Sequence, residues 1–132
     1  MAKTFRVKIL TLSKTLIDKQ VEKVFTETAF GKIEFLSNYA PSIISTKACI
    51  TRIINENGEE EKLFTSEGII NIKNNELMFC CDSAELPEDI DVERAEKAKE
   101  RAEKRLAQKD KFDIARAQRA LARANVRLNL KK

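Results

Sequence analysis

The hydrophobic period of this 132-residue chain changes once, at Pro87. Before that point it is the period of a strand. Phe5, Val7 and Ile9 alternate with Arg6 and Lys8, and a spacing of two puts successive side chains on opposite faces of a sheet. Residues 21–28, 48–55, 62–65 and 77–82 are further β-rich runs. Asn57-Gly58 between Ile54 and Leu63 supplies the positive φ of a tight hairpin, and Gly68 and Asn74-Asn75 punctuate the next turns. Short strands at this spacing predict a small antiparallel sandwich or barrel, with no helix of ordinary length before residue 86.

After Pro87 the period becomes helical. Glu88, Asp89 and Asp91 suit the positive end of a helix, with Asp91 as the expected N-cap. Val92, Ala95, Ala98, Ala102 and Leu106 then recur at three- and four-residue spacing, and Glu93–Lys97 and Glu100–Lys104 are i,i+4 pairs in the favourable order. Residues 108–110 read as a turn, and a second helix is expected from about Phe112 to Leu130. Its apolar stripe is Ile114, Ala117, Leu121, Ala124 and Leu128. Beside it Arg116, Arg119, Arg123 and Arg127 fall within about 80° of one another around a helix, a single guanidinium stripe. The predicted class is α+β: an antiparallel β-sandwich over 1–86, then an antiparallel two-helix hairpin over 87–132. An alanine seam buries little apolar area, at about 25 cal/mol per Å², so the hairpin is expected to be weakly held and able to move.

Charge follows the same division. Residues 1–87 carry 11 basic and 12 acidic side chains, and residues 88–132 carry 14 and 9, so the net +4 belongs to the C-terminal third. There is no histidine, which removes imidazole acid–base chemistry and imidazole metal ligands. Three glycines cannot build a phosphate-cradling loop, and no serine or cysteine has an evident partner base. No metal site is expected: Cys80 and Cys81 would point to opposite faces of a strand, and Asp89 and Asp91 are explained by the start of a helix. An odd cysteine count without a signal-like segment predicts free thiols in a reducing compartment. No apolar run nears the roughly 18 residues that span a bilayer, so the chain is expected to be soluble and to meet membranes through partners. The residues therefore describe a binding or regulatory protein whose arginine stripe faces an anion or simply water. Nucleic acid is disfavoured, because the first helix interleaves Glu93, Glu96, Glu100 and Glu103 with its bases and Phe112 is the lone aromatic after residue 86. A basic hairpin module for nucleic acid or an acidic protein stands as the alternative reading.

The run Asp82-Ser83-Ala84-Glu85, then Glu88-Asp89-Ile90-Asp91-Val92-Glu93-Arg94-Ala95, closely resembles the junction of bacterial F-type ATP synthase epsilon subunits, with their Ile-Asp-x-x-Arg-Ala motif. The run from Ala98 to Leu106 and the Arg-Ala-x-x-Ala-Leu-x-Arg-Ala of Arg116 to Ala124 are similar to that family too. Residues 1–12 resemble its opening strand, and Phe64 to Gly68 its Ser-Gly-Gly turn, with Glu67 in place of one glycine. The segment from Gly31 to Pro41 keeps Gly31, Leu36, Ala40 and Pro41, but has Glu34, Ser37 and Tyr39 where the family usually has glycine, proline and histidine. The resemblance implies a non-catalytic subunit of the central rotor stalk, peripheral on the cytoplasmic face of the bacterial membrane. Its sandwich would bind the gamma subunit and rest on the c-subunit ring, helping couple ion-driven rotation to ATP synthesis. Its hairpin would extend toward the alpha and beta subunits and inhibit ATP hydrolysis, with Arg116, Arg119, Arg123 and Arg127 meeting acidic surfaces. It requires no cofactor. A regulatory ATP site in the compact hairpin maps onto Glu85, Ile90, Asp91, Arg94, Ala95, Arg101, Arg123 and Arg127, since arginine forks grip phosphate or carboxylate with paired hydrogen bonds.

Overall fold

Strand-period sequence becomes strand, over more of the chain than the β-rich runs suggest. The computed structural model describes residues 3–108 and 113–132. Within them nine strands precede a short 3-10 turn (Pro87–Asp89) and two helices, α1 (Val92–Ala107) and α2 (Ile114–Lys131). The strands are β1 (Phe5–Leu10), β2 (Thr15–Thr28), β3 (Gly31–Phe35), β4 (Ser42–Thr46), β5 (Cys49–Asn55), β6 (Glu60–Thr65), β7 (Gly68–Lys73), β8 (Glu76–Cys81) and β9 (Ala84–Glu85). The first two residues of the opening segment, most of the expected turn at 108–110 and the expected helix start at Phe112 lie outside the described residues. Four strands, β3, β4, β7 and β9, lie outside the β-rich runs. β3 occupies half of the segment from Gly31 to Pro41, and β4 follows it. Each is five residues long with two outward positions exposed to solvent, and each ends on its one buried side chain, Phe35 or Thr46.

Neighbouring strands run β4-β7-β8-β1-β2-β5-β6-β9, with β3 also on β2. All pairs are antiparallel except β1 with β8, which run parallel (Val7 beside Leu77, Ile9 beside Phe79). Some 60 residues separate those two strands, so no hairpin dictates their direction. β2 belongs to both halves of the sandwich. Its first half pairs with β1, and after an irregularity between Val21 and Lys23 its second half pairs with β3 and β5. Inward-facing Phe5, Phe35, Ile53, Leu63, Ile70 and Phe79 are completely buried. Each such side chain contributes about 1.5–3 kcal/mol relative to exposure. Tyr39 tilts onto Phe35 with ring centroids 4.9 Å apart, so the residue standing in place of the family's histidine is a packing group. The turns match their sequences: Asn74 (φ 51°) and Asn75 (φ 63°) form a two-residue hairpin between β7 and β8, and Gly58 takes φ 87° between β5 and β6.

One end of the interior is polar yet satisfied. The Thr51 hydroxyl lies 2.9 Å from that of Thr26 and 2.7 Å from that of Thr65, and Cys49 Sγ is 3.2 Å from Thr26 Oγ1. Cys49 and Cys81 are buried, while Cys80 is exposed on the outer face of β8. Burial pushes the Cys81 thiol up to about 12, which keeps it protonated and unreactive. Maleimide at pH 8 is therefore expected to modify one thiol per folded chain, Cys80, and all three after denaturation. Rapid modification of a second thiol in the folded protein would contradict this arrangement.

The helices begin on side-chain caps. Asp91 accepts a hydrogen bond from the Arg94 amide at 3.0 Å, as its position predicted, and Asp113 accepts one from the Arg116 amide at 3.2 Å. Each cap contributes about 1 kcal/mol. The seam between α1 and α2 is alanine: Ala95, Ala102, Ala117 and Ala124 are at most 3% exposed. Val92 and Ile114, expected in the stripes, are more than one-third exposed and close nothing. Glu93–Lys97 and Glu100–Lys104 pair at 3.2 and 3.3 Å on the solvent side of α1. None of the described helices is long and apolar enough to cross a membrane.

Candidate anion-binding cleft

α2 lies along β5 and β6 with its arginines toward the sandwich. The register places Phe64 opposite Ile50, out of step with core-facing Leu63 and Thr51, so Phe64 points away from the core. It is nonetheless fully buried, and the Arg127 guanidinium covers its ring at 4.2 Å from the centroid. Arg127 Nε also donates to Glu85 Oε1, and its Nη2 lies 3.4 Å from Ser83 Oγ. One turn back, Arg123 Nη1 donates to Glu67 Oε2 at 2.9 Å, and Arg119 Nε stands 4.0 Å from the same oxygen. At the far end Lys131 Nζ donates to the Pro87 carbonyl at 2.8 Å. Arg116 is separate from this series. It lies beside Arg105, Asp113 and Ala117 at the other end of α2. The stripe that was one row in sequence thus has three members on the sandwich and one beyond it.

Between α1, α2 and the β9 segment opens a cleft of about 490 Å³. Of the eight residues expected there, Glu85, Asp91, Arg94, Ala95, Arg101, Arg123 and Arg127 line it. Ile90 does not; it is buried, 5% exposed. Ser83, Asp89, Ala98 and Ala120 complete the lining. Ala95, Ala98 and Ala120 leave the helices without bulky groups at the cleft, while four guanidinium groups supply positive charge around it. The cleft's ion pairs engage Arg123 and Arg127; Arg94 and Arg101 carry none among the described residues. Such a site has the size of a small-molecule pocket and the chemistry to hold an anion with several oxygens. Among the described residues no three carboxylate or thiol groups gather in a way that could hold a metal ion.

Phe64, Glu67, Ser83, Asp89, Ala98, Ala120 and Lys131 belong to this region without having been among the expected site residues. Glu67 carried a signal in its departure from the glycine of the resembling turn, but nothing in sequence joined it to arginines more than 50 positions away. Models of two successive domains cover nearly the whole chain: the beta-sandwich domain of the ATP synthase delta/epsilon chain matches residues 4–87, and its long alpha-helix domain residues 88–132. The chain belongs to the ATP synthase delta/epsilon family. It is 47% identical to the ATP synthase epsilon chain of Clostridium kluyveri over the full length of both, and 45% identical to that of Clostridium novyi over 98% of this chain and 99% of the relative. A chain of the Euglena gracilis mitochondrial ATP synthase (OSCP/F1/c-ring) has the same fold with TM-score 0.75 and 19% identity, over 92% of this chain and 78% of its own. A chain of the Tetrahymena thermophila mitochondrial ATP synthase central stalk and c-ring superposes with TM-score 0.62 and 9% identity, over 99% and 98%. As an epsilon-family subunit of the ATP synthase complex, the chain presents a sandwich and a hairpin joined by charged side chains.

Proposed function

We propose that this epsilon-family chain is a non-catalytic rotor subunit that couples ion-driven rotation to ATP synthesis and restrains ATP hydrolysis through a movable hairpin. The observation that carries the reading is the way the hairpin is held. α2 meets the sandwich through Arg119, Arg123 and Arg127, with Arg127 over the Phe64 ring. Partly exposed ion pairs contribute only about 0–1 kcal/mol each, so another acidic surface can exchange for Glu67 and Glu85 at small cost. In this reading the hairpin, starting at Pro87, leaves the sandwich and carries Arg116, Arg119, Arg123 and Arg127 to acidic segments of the alpha and beta subunits. The sandwich stays on the rotor, at the cytoplasmic face of the bacterial membrane. Its outer face of β4, β7 and β8 exposes Ile43 (75%), Ile69 (51%) and Met78 (45%), an apolar surface suited to the gamma subunit, with the c-ring as its second support.

The test is truncation in the assembled complex. Removal of residues 88–132 is expected to leave a folded sandwich that still assembles, while ATP hydrolysis rises. Unchanged hydrolysis in a fully assembled truncated complex would remove the inhibitory role.

The cleft fits ATP as a regulatory ligand of the docked hairpin: its volume is adequate, and Arg94 and Arg101, which carry no ion pair among the described residues, stand beside Arg123 and Arg127. These four would hold the phosphates, and the nucleotide would supply charge and contacts rather than reaction. Binding to the docked state alone stabilises it by about 2.7 kcal/mol at a hundredfold excess over Kd. Titration calorimetry of the isolated chain should show one site, and the double replacement Arg94→Ala, Arg123→Ala should remove its heat. An unaltered titration in that variant would place ATP elsewhere.

A further inference from the structure

We propose that Glu67 is a built-in ligand of the arginine stripe, a carboxylate that latches the hairpin to the sandwich when no outside anion occupies the stripe. The inference rests on the movable hairpin of the preceding section, and names what holds it in place.

Glu67 is not a loose surface side chain. Its main chain is fixed in the link between β6 and β7: the Glu67 carbonyl accepts from the Asp82 amide at 3.2 Å and from the Ser66 hydroxyl at 3.1 Å. Ser66 is itself fully buried and clamped to Ser83 twice, by its amide to the Ser83 carbonyl at 2.9 Å and by its hydroxyl to the Ser83 amide at 2.8 Å. On the other side stands Gly68, whose main chain lies against β8. The carboxylate is therefore delivered from a rigid base.

Its two oxygens have unlike surroundings. Oε2 accepts from Arg123 at 2.9 Å and faces Arg119 at 4.0 Å, whereas Oε1 is buried without a hydrogen-bond partner among the described residues. A carboxylate withdrawn this far from water depends on its arginines for compensation. Glu67 and Arg123 side chains are only 28% and 32% exposed, so the pair is shielded more than an ordinary surface ion pair. When the hairpin departs, Oε1 and Oε2 regain water, and the arginines become available to another anion. Glu67 thus competes with every external partner of the stripe. Glu85 plays the same part for Arg127, but it also lines the nucleotide cleft. Glu67 lies outside that lining, which allows latch and nucleotide site to be separated by mutation.

The experiment uses the isolated full chain without nucleotide. Spin labels are placed on exposed Cys80 and on Gln118→Cys, an exposed position of α2. Pulsed electron–electron resonance then gives the fraction of hairpins away from the sandwich. Glu67→Gln, which keeps the shape and removes the charge, is expected to raise that fraction about two- to fivefold, the range of a partly shielded ion pair. Arg123→Ala should do likewise, and Glu67→Gln should add much less in its background, where the longer contact with Arg119 is what is left to lose. The exchanged pair Glu67→Arg, Arg123→Glu should restore the docked population, which excludes simple damage to the β6–β7 link. The latch is wrong if Glu67→Gln leaves the distance distribution unchanged, or if its effect persists undiminished beside Arg123→Ala. Neither nucleotide nor complex is present, so failure of the latch is distinct from failure of the inhibitory role, which the truncated complex decides.

Discussion

Gly68→Ala is expected to lower the stability of the sandwich by about 3 kcal/mol, at the upper end of what overpacking costs. A Cβ on Gly68 would sit 2.3 Å from the Cys80 carbonyl oxygen, 3.0 Å from the Cys81 Cα and 3.0 Å from the edge of the buried Phe79 ring. Two of those three atoms are main chain and cannot rotate away. Relief therefore requires β7 to move off β8, and β7 also carries β4, since Gly68 pairs with Cys81 on one side and with Thr46 on the other. The Thr46 hydroxyl, which donates to the Gly68 carbonyl at 3.3 Å, would be displaced by the same movement. A drop of this size corresponds to a Tm lower by about 6 °C or more. Circular dichroism melting is the measurement. A Tm within about 2 °C of the unsubstituted chain would show that the strands part more easily than their close approach indicates.

The second large effect is expected at Phe64, with a different signature. Phenylalanine-to-alanine changes at buried positions cost about 3–5 kcal/mol. Phe64 owes its burial to α2 and the Arg127 guanidinium, not to the sandwich interior that surrounds Leu63. The loss should therefore fall on docking. A shift of about 3 kcal/mol moves the docking equilibrium roughly a hundredfold toward the displaced hairpin. Trypsin should then cut the hairpin at Arg119, Arg123 and Arg127 much faster, while the melting of the sandwich changes by a few degrees at most. If sandwich and hairpin lose structure together in Phe64→Ala, the ring belongs to the core and the separation is wrong.

The sequence made some of this visible because the relevant physics is local. A cap acts over three residues, an alanine seam repeats every three or four, and a tight turn needs positive φ at fixed positions. Asp91, the alanines at 95, 102, 117 and 124, and the Asn74-Asn75 and Asn57-Gly58 turns were legible for that reason. β3 and β4 were not, because short edge strands with few inward side chains leave little periodic trace. The parallel pairing of β1 with β8 is a long-range choice that no local pattern encodes. Within the cleft, the α1 and α2 positions came from the family resemblance, residue by residue, and helical spacing alone would not have singled them out. Glu67 and Phe64 required knowing which part of the sandwich lies under α2. That contact spans 56 positions from Glu67 to Arg123, and a row of arginines gives no sign of which carboxylate lies opposite.

The long second strand has a mechanical consequence. β2 runs 14 residues, about 46 Å of extended chain, and is hydrogen-bonded to both halves of the sandwich. A pull on the β1 side reaches the β5 side along covalent main chain, without relying on friction between packed side chains. The two layers are tied by a continuous tendon, so a twist imposed on one must load the other before they can slide apart.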